Sequence, residues 1–138
     1  RCSRKLLSVK RYLIDTRVWL WLQSDPDRLC DQTRAIVHDV RNGIFFSAAS
    51  TWEVAIKYRL GKLPLPEPPA SYIPDRVRRS GTSPLPVDHA HTLRTADLPN
   101  HHRDPFDRVL VAQAQLLDLT IMTADNQLSA YDVAVISA

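Results

Sequence analysis

Three acids stand just after apolar runs, and a fourth stands at the opening of a helix. Asp15 closes the run RYLI, and Glu53 falls in the first turn of the helix expected after IFFSA. Asp107 falls in the first turn of the longest apolar helical stretch, and Asp125 comes two residues after Thr123 ends LTIMT. Open α/β sheets bind their ligands beyond the carboxyl ends of the strands. Asp15, Glu53 and Asp125 are therefore expected at one sheet edge, joined by Asp107 if its helix begins there. Carboxylates gathered in one cleft raise one another's pKa and are costly to hold together unless a cation neutralises them. Hard oxygen donors select Mg2+, with Mn2+ as the alternative, over zinc. Such a cation lowers the pKa of a water and steadies charge that builds on a phosphate. The chemistry that follows most directly is phosphodiester hydrolysis.

Each acid also has a plainer reading. Ser50-Thr51-Trp52-Glu53 fits a capping box. Asp104-Pro105 fits an N-cap followed by proline at the first helical position, with Asp107 in the first turn. Asp15 and Asp125 can cap the helices that follow them, because acids near helix N-termini are favoured by the macrodipole alone. The coincidence of all four favours a shared site. Asp104 ranks as a cap with a secondary metal role. Arg17, Arg103 and Arg108 are candidate phosphate contacts, since the guanidinium fork matches phosphate oxygens. His101, His102 and Arg103 lie in the loop leading to Asp104, where a substrate contact and a plain surface loop are both open. His89 and His91 read as solvated helix residues.

Other chemistries are poorly served. Three glycines in 138 residues leave no room for a G-x-G-x-x-G turn or a P-loop. The chain has no G-x-S-x-G elbow and no H-E-x-x-H pair.

The elements that must position these groups alternate. Strands are expected at 11–15, 44–48, 84–87, 119–123 and 134–137. Helices are expected from Val18, then over about 29–41 (with Ile36, Val37 and Val40 at helical spacing), 50–60, 71–80, 89–96 and 104–118. Residues 63–69 hold four of the ten prolines and read as a rigid extended connection or a partner-docking segment. Alternating strands and helices argue an α/β fold whose mostly parallel sheet is covered on both faces.

Composition agrees with one globular domain: 44% apolar, 24% charged, formal net charge +3. That mild positive balance is compatible with a polyanionic partner. Residues 1–8 read as a basic, aperiodic, disordered extension and 9–138 as the domain. No run is long enough for a membrane span or a signal peptide, so a cytoplasmic location is expected. Cys2 and Cys30 read as two reduced thiols without a role.

The segments RYLIDTRVWLW, FFSAASTWEVAIKYRLGKL and HHRDPFDRVLVAQAQLLDLTIMTADNQLSAY, in that order, closely resemble the PIN-domain family of VapC-type toxins. The resemblance covers nearly everything from Val9 onward. It implies a PIN-like three-layer α/β fold and a magnesium-dependent endoribonuclease whose acids are Asp15, Glu53, Asp107 and Asp125. It places Thr123 at a hydroxyl position close to the site. Many relatives carry histidine where this chain has Arg17. The implied substrate is a structured cellular RNA such as a transfer or ribosomal RNA. The implied partners are a cognate VapB-type antitoxin and a second copy of the chain. Trp19, Trp21, Trp52, Val54 and Tyr58 read first as core residues and second as contacts for such partners. Alternatives are a PIN nuclease of RNA processing without an antitoxin, and a non-catalytic RNA- or protein-binding module. A phosphoacceptor receiver domain would need an acid pair after the first strand and a late lysine. The chain has one acid there and no lysine after Lys62.

Overall fold

The computed structural model describes residues 10–138. The extension expected at residues 1–8 lies outside them. In chain order the elements are β1 (Arg11–Ile14), α1 (Thr16–Ser24), α2 (Asp31–His38), β2 (Gly43–Ser47), α3 (Ala48–Arg59), α4 (Pro69–Arg79), β3 (Ser83–Leu85), α5 (His89–Arg94), α6 (Pro105–Leu117), β4 (Thr120–Thr123) and β5 (Val135–Ser137). Short 3-10 turns lie at Pro26–Arg28, Thr95–Asp97 and Asn126–Ala130.

The five strands form one sheet in the order β3-β2-β1-β4-β5, and all four pairings are parallel. Parallel strands buried on both faces require apolar side chains on both sides, and RYLI, GIFFS and TIMT supply them. Side chains alternate across the pleat. Tyr12, Ile14, Ile44, Phe46 and Met122 face one core with Val18, Trp19, Val54 and Tyr72. Leu13 and Ile121 face the other with Leu110, Val111, Ala114 and Leu128. Fully buried Trp19 anchors the first core. It stacks on Phe46 with ring centroids 4.2 Å apart, and its Nε1–H donates to Thr82 Oγ1 at 3.2 Å. That bond satisfies the polar edge of a ring with no water to turn to.

The α/β expectation holds; several boundaries move. The first helix starts at Thr16, because Asp15 already caps it. α2 ends at His38, and Val40 lies beyond it, 96% exposed, where helical spacing had put it on the apolar face. α3 starts two residues before Ser50, because the Ser47 hydroxyl accepts the Ala49 N–H at 3.0 Å and two alanines fill the first helical positions. The Ser50–Glu53 capping box therefore does not form. Glu53 sits in the second turn, not the first. Gly61 does stop α3, with φ +73°. The proline-rich connection is tacked down by Leu63 and Leu65 against the first core. His91 is buried rather than solvated, its Nδ1 accepting the Asp88 N–H at 3.0 Å and facing Gln113 Nε2 at 3.2 Å. The expectation of two reduced thiols involves Cys2, which lies outside the described residues. No helix among the described residues is long and apolar enough to cross a membrane.

Candidate metal centre and cleft

Adjacent parallel strands β1 and β4 run side by side, with Ile14 opposite Met122. The residues that follow each strand therefore emerge together. Asp15 follows β1, Asp125 follows β4, α3 delivers Glu53 and the start of α6 delivers Asp104 and Asp107. All five line one cleft of about 690 Å³.

Asp15 serves two roles. Its Oδ1 accepts the Val18 N–H at 2.9 Å, capping α1, and its Oδ2 accepts the Thr123 hydroxyl. Burial pushes the Asp15 carboxyl above the usual carboxylate range. The Thr123 and Val18 bonds and the Arg17 charge pull against that shift, and the Glu53 charge adds to it. Thr123 Oγ1 also accepts the Asp125 N–H at 2.9 Å, so one hydroxyl orients the residues after both central strands.

Glu53 is buried, yet both its oxygens are engaged. Oε1 accepts the Thr16 hydroxyl at 2.7 Å, and Oε2 pairs with Lys57 Nζ at 2.6 Å, one helical turn along α3. Asp107 is pushed up to about 7, first by burial, then by the charges of Asp104 and Asp15, with His102 opposing. Asp104 is the N-cap of α6, its Oδ1 accepting the Phe106 N–H at 2.9 Å and the Asp107 N–H at 3.3 Å. Partial burial acts upward on Asp125, but the Gln127 N–H and the His102 side chain outweigh it and hold this carboxyl below the usual range.

The bland and the functional readings thus coincide: Asp15, Asp104 and Asp125 cap helical turns and line the cleft at once. His102, for which the sequence leaves a substrate contact and a plain surface loop both open, joins the acids. Its Nε2 lies 3.0 Å from Asp125 Oδ2 and 3.2 Å from Asp107 Oδ2. The signal was its position two residues before the Asp104 cap, whose N–H it accepts on Nδ1 at 3.1 Å. Thr16 and Lys57, the partners of Glu53, were also missed.

The expected arginines separate. Arg17 lines the cleft. Arg103 is exposed and does not line it. Arg108 requires correction as a phosphate contact. Its guanidinium is used up inside the fold, donating to the carbonyls of Thr95, Leu98 and Pro99 at 2.7, 3.2 and 2.9 Å and lying 3.3 Å from the Tyr131 hydroxyl. Among the apolar partner candidates, Trp19 and Val54 are core, Trp21 is partly buried at the cleft, Trp52 is 64% exposed against Phe106, and Tyr58 is partly exposed.

A parallel sheet with a carboxylate cluster at its carboxyl edge defines an acid-lined α/β site. The family model of the PIN domain matches residues 12–134, and the chain belongs to the PIN-domain family. Over 62 residues it is 76% identical to Ribonuclease VapC16 of Mycobacterium tuberculosis, a match covering 45% of this chain and 44% of that protein. The matched chain thus spans less than half the length of this curated relative. The fold is similar to that in the crystal structure of VapBC2 from Rickettsia felis bound to a promoter DNA fragment (TM-score 0.69, 14% identity, 92% of this chain and 98% of that one). It is also similar to that in DNA-bound VapBC from Salmonella typhimurium (TM-score 0.65, 13% identity, 94% and 98%). At those identities the likeness is one of fold.

Proposed function

We propose that this protein is a metal-dependent endoribonuclease acting as the toxin of a toxin–antitoxin pair. The observation that carries the proposal is the convergence of Asp15, Glu53, Asp107 and Asp125 from four separate segments into one cleft. Capping accounts for Asp15 and Asp125 singly but not for their convergence with Glu53 and Asp107, and among the described residues only Lys57 and His102 form ion pairs with these four acids. Burial and mutual repulsion lift Asp15 and Asp107, which marks a site built for a positive charge. The donors are mainly carboxylate oxygens, which suits Mg2+ or Mn2+. Asp15, Asp107, Glu53 and Asp125 would hold the cation, with Asp104 at the margin. When bound, a divalent cation supplies an acidified water and charge neutralisation at the phosphate.

The chain's own groups do the rest. Thr123 and Thr16 orient Asp15 and Glu53, and Arg17 is placed to meet a phosphate at the cleft wall. Arg103, exposed beside the site, contacts RNA backbone farther out. Hydrolysis by water leaves 5′-phosphate and 3′-hydroxyl ends; 2′,3′-cyclic phosphate ends would contradict it. The substrate is a structured cellular RNA, transfer or ribosomal. The short relative named a ribonuclease supports the activity. The similar folds from VapBC complexes support a VapB-type antitoxin partner; a homodimer and a cytoplasmic location belong to the same proposal.

The test is cleavage of a mixed transfer and ribosomal RNA pool with Mg2+, with chelator, and with Asp15→Asn. Mg2+-dependent cutting lost in the variant supports the reading. No cutting by folded, antitoxin-free protein on any RNA demotes the acids to helix caps.

A further inference from the structure

The cleft is larger than a cation and one phosphate need, and its wall changes character along α1. Trp21 lies six residues beyond Asp15, about 9 Å along the helix axis. It is partly exposed, lines the cleft, and is backed by the first core. Arg28, from the turn after α1, lies over its ring with the guanidinium carbon 4.3 Å from the centroid. Arg17, one helical turn nearer the acids, lies 6.0 Å from the same centroid. Lys62 adds a third cation, against the one acid Asp25 on this part of the wall.

These two guanidinium groups differ from most others in the molecule. Arg34 is paired with Asp27 and Asp31, Arg41 with Asp39, Arg79 with Asp75, and Arg108 with backbone carbonyls. Among the described residues no hydrogen bond or ion pair engages the Arg17 or Arg28 side chain; both lie over the Trp21 ring, and Arg17 also acts through its charge on Asp15 and Asp125. Their donors are thus available at the wall of a cleft whose floor is acidic.

We propose that Trp21 and Arg28 form a stacking platform for an unpaired RNA base, with Arg17 on the phosphate between that base and the acids. The inference deepens the nuclease reading and rests on it. A planar indole covered by a planar guanidinium presents a π surface to a nucleobase. Arg17 and Lys62 meet the phosphates on either side. A basic peptide is disfavoured by the same cations, and the apolar surface at Leu20, Trp21 and Leu63 is too small to seat an apolar helix. Stacking needs a base out of its duplex, so the platform selects single-stranded or bulged RNA.

The experiment is equilibrium binding of a short, unstructured oligoribonucleotide, and of the same strand in a perfect duplex, in chelator so that no cutting occurs. Wild type is compared with Trp21→Ala, Trp21→Phe and Arg28→Ala, each checked for wild-type melting. Arg28→Ala keeps the test valid if loss of the indole unsettles α1. The expected result is about 5- to 100-fold weaker single-strand binding for Trp21→Ala, and recovery to within about threefold for Trp21→Phe. Duplex binding should be weak and unchanged. Quenching of Trp21 fluorescence by the single strand should vanish in Trp21→Ala. Equal single-strand affinity in wild type, Trp21→Ala and Arg28→Ala overturns the platform, as does the absence of any binding. Binding through Trp21 by a protein that never cuts RNA supports the platform and refutes the nuclease. Cutting that ignores both variants refutes the platform and leaves the nuclease standing.

Discussion

His102 Nε2 stands 3.0 Å from Asp125 Oδ2, with Asp107 Oδ2 3.2 Å away on its other side. The backbone decides what that nitrogen carries. Nδ1 accepts the Asp104 N–H, so the proton of a neutral imidazole sits on Nε2 and is donated to the carboxylates. An N–H placed between two carboxylate oxygens occupies the position a cation shared by them would take. His102→Ala should therefore bind Mn2+ about three- to tenfold more tightly than wild type. Calorimetric or paramagnetic-resonance titration measures this, and weaker binding in the variant would make His102 a ligand.

Asp107 gives the metal-free protein a pH dependence of defined sign. Its carboxyl is raised from 3.8 to about 7, so the protonated form is favoured in the folded state. The stabilising contribution is complete below about pH 4, shrinks as pH rises through about 7, and is gone above it. Asp107→Asn removes the penalty of a buried charge. In chelator at pH 8 the variant should be about 2–4 kcal/mol more stable than wild type, and the gap should close towards pH 4. Denaturant unfolding across that range checks it. A gap that widens on acidification would refute the sign.

Arg108 ties three backbone carbonyls of residues 95–99 and the Tyr131 hydroxyl to the start of α6. This clamp fixes the base of the loop that ends at His102. A lysine cannot span that fork of acceptors. Arg108→Lys should cost about 2–4 kcal/mol of stability by leaving carbonyls without donors. A variant of unchanged stability whose only defect is a raised KM would restore the phosphate-contact role.

Thr123 is 2% exposed and touches Asp15 and Asp125, which makes it an orienting group and leaves little surface for substrate. Thr123→Val should cost about 1–3 kcal/mol and lower kcat about tenfold at nearly constant KM; Thr123→Ser should recover both. An increase in KM alone would instead indicate direct contact with RNA.

The alternation of apolar runs and helical stretches was enough to place all five strands and the six helices within a few residues, because the central strands β1, β2 and β4 are largely buried and therefore mostly apolar. Three of the four acids were legible for the same reason, since Asp15, Glu53 and Asp125 follow or trail such runs; Asp107 was legible from the first turn of the apolar helix it opens. Boundaries moved where a local hydrogen bond competed with pattern, as at Ser47, whose hydroxyl starts α3 early and carries Glu53 into the second turn.

What remained hidden depends on distance across the chain. By itself the sequence determined the sheet, its buried runs and the acids that trail them, since these follow from side-chain period and backbone sterics over neighbouring residues. Only the tertiary structure decided that His102 meets Asp125, 23 residues on, that Thr123 meets Asp15 from 108 residues away, and that Arg108 faces inward while Arg17 and Arg28 flank Trp21. An arginine reads the same in sequence whether it is spent on carbonyls or left for a ligand. Which of the two it does is settled by the acceptors that packing brings within reach.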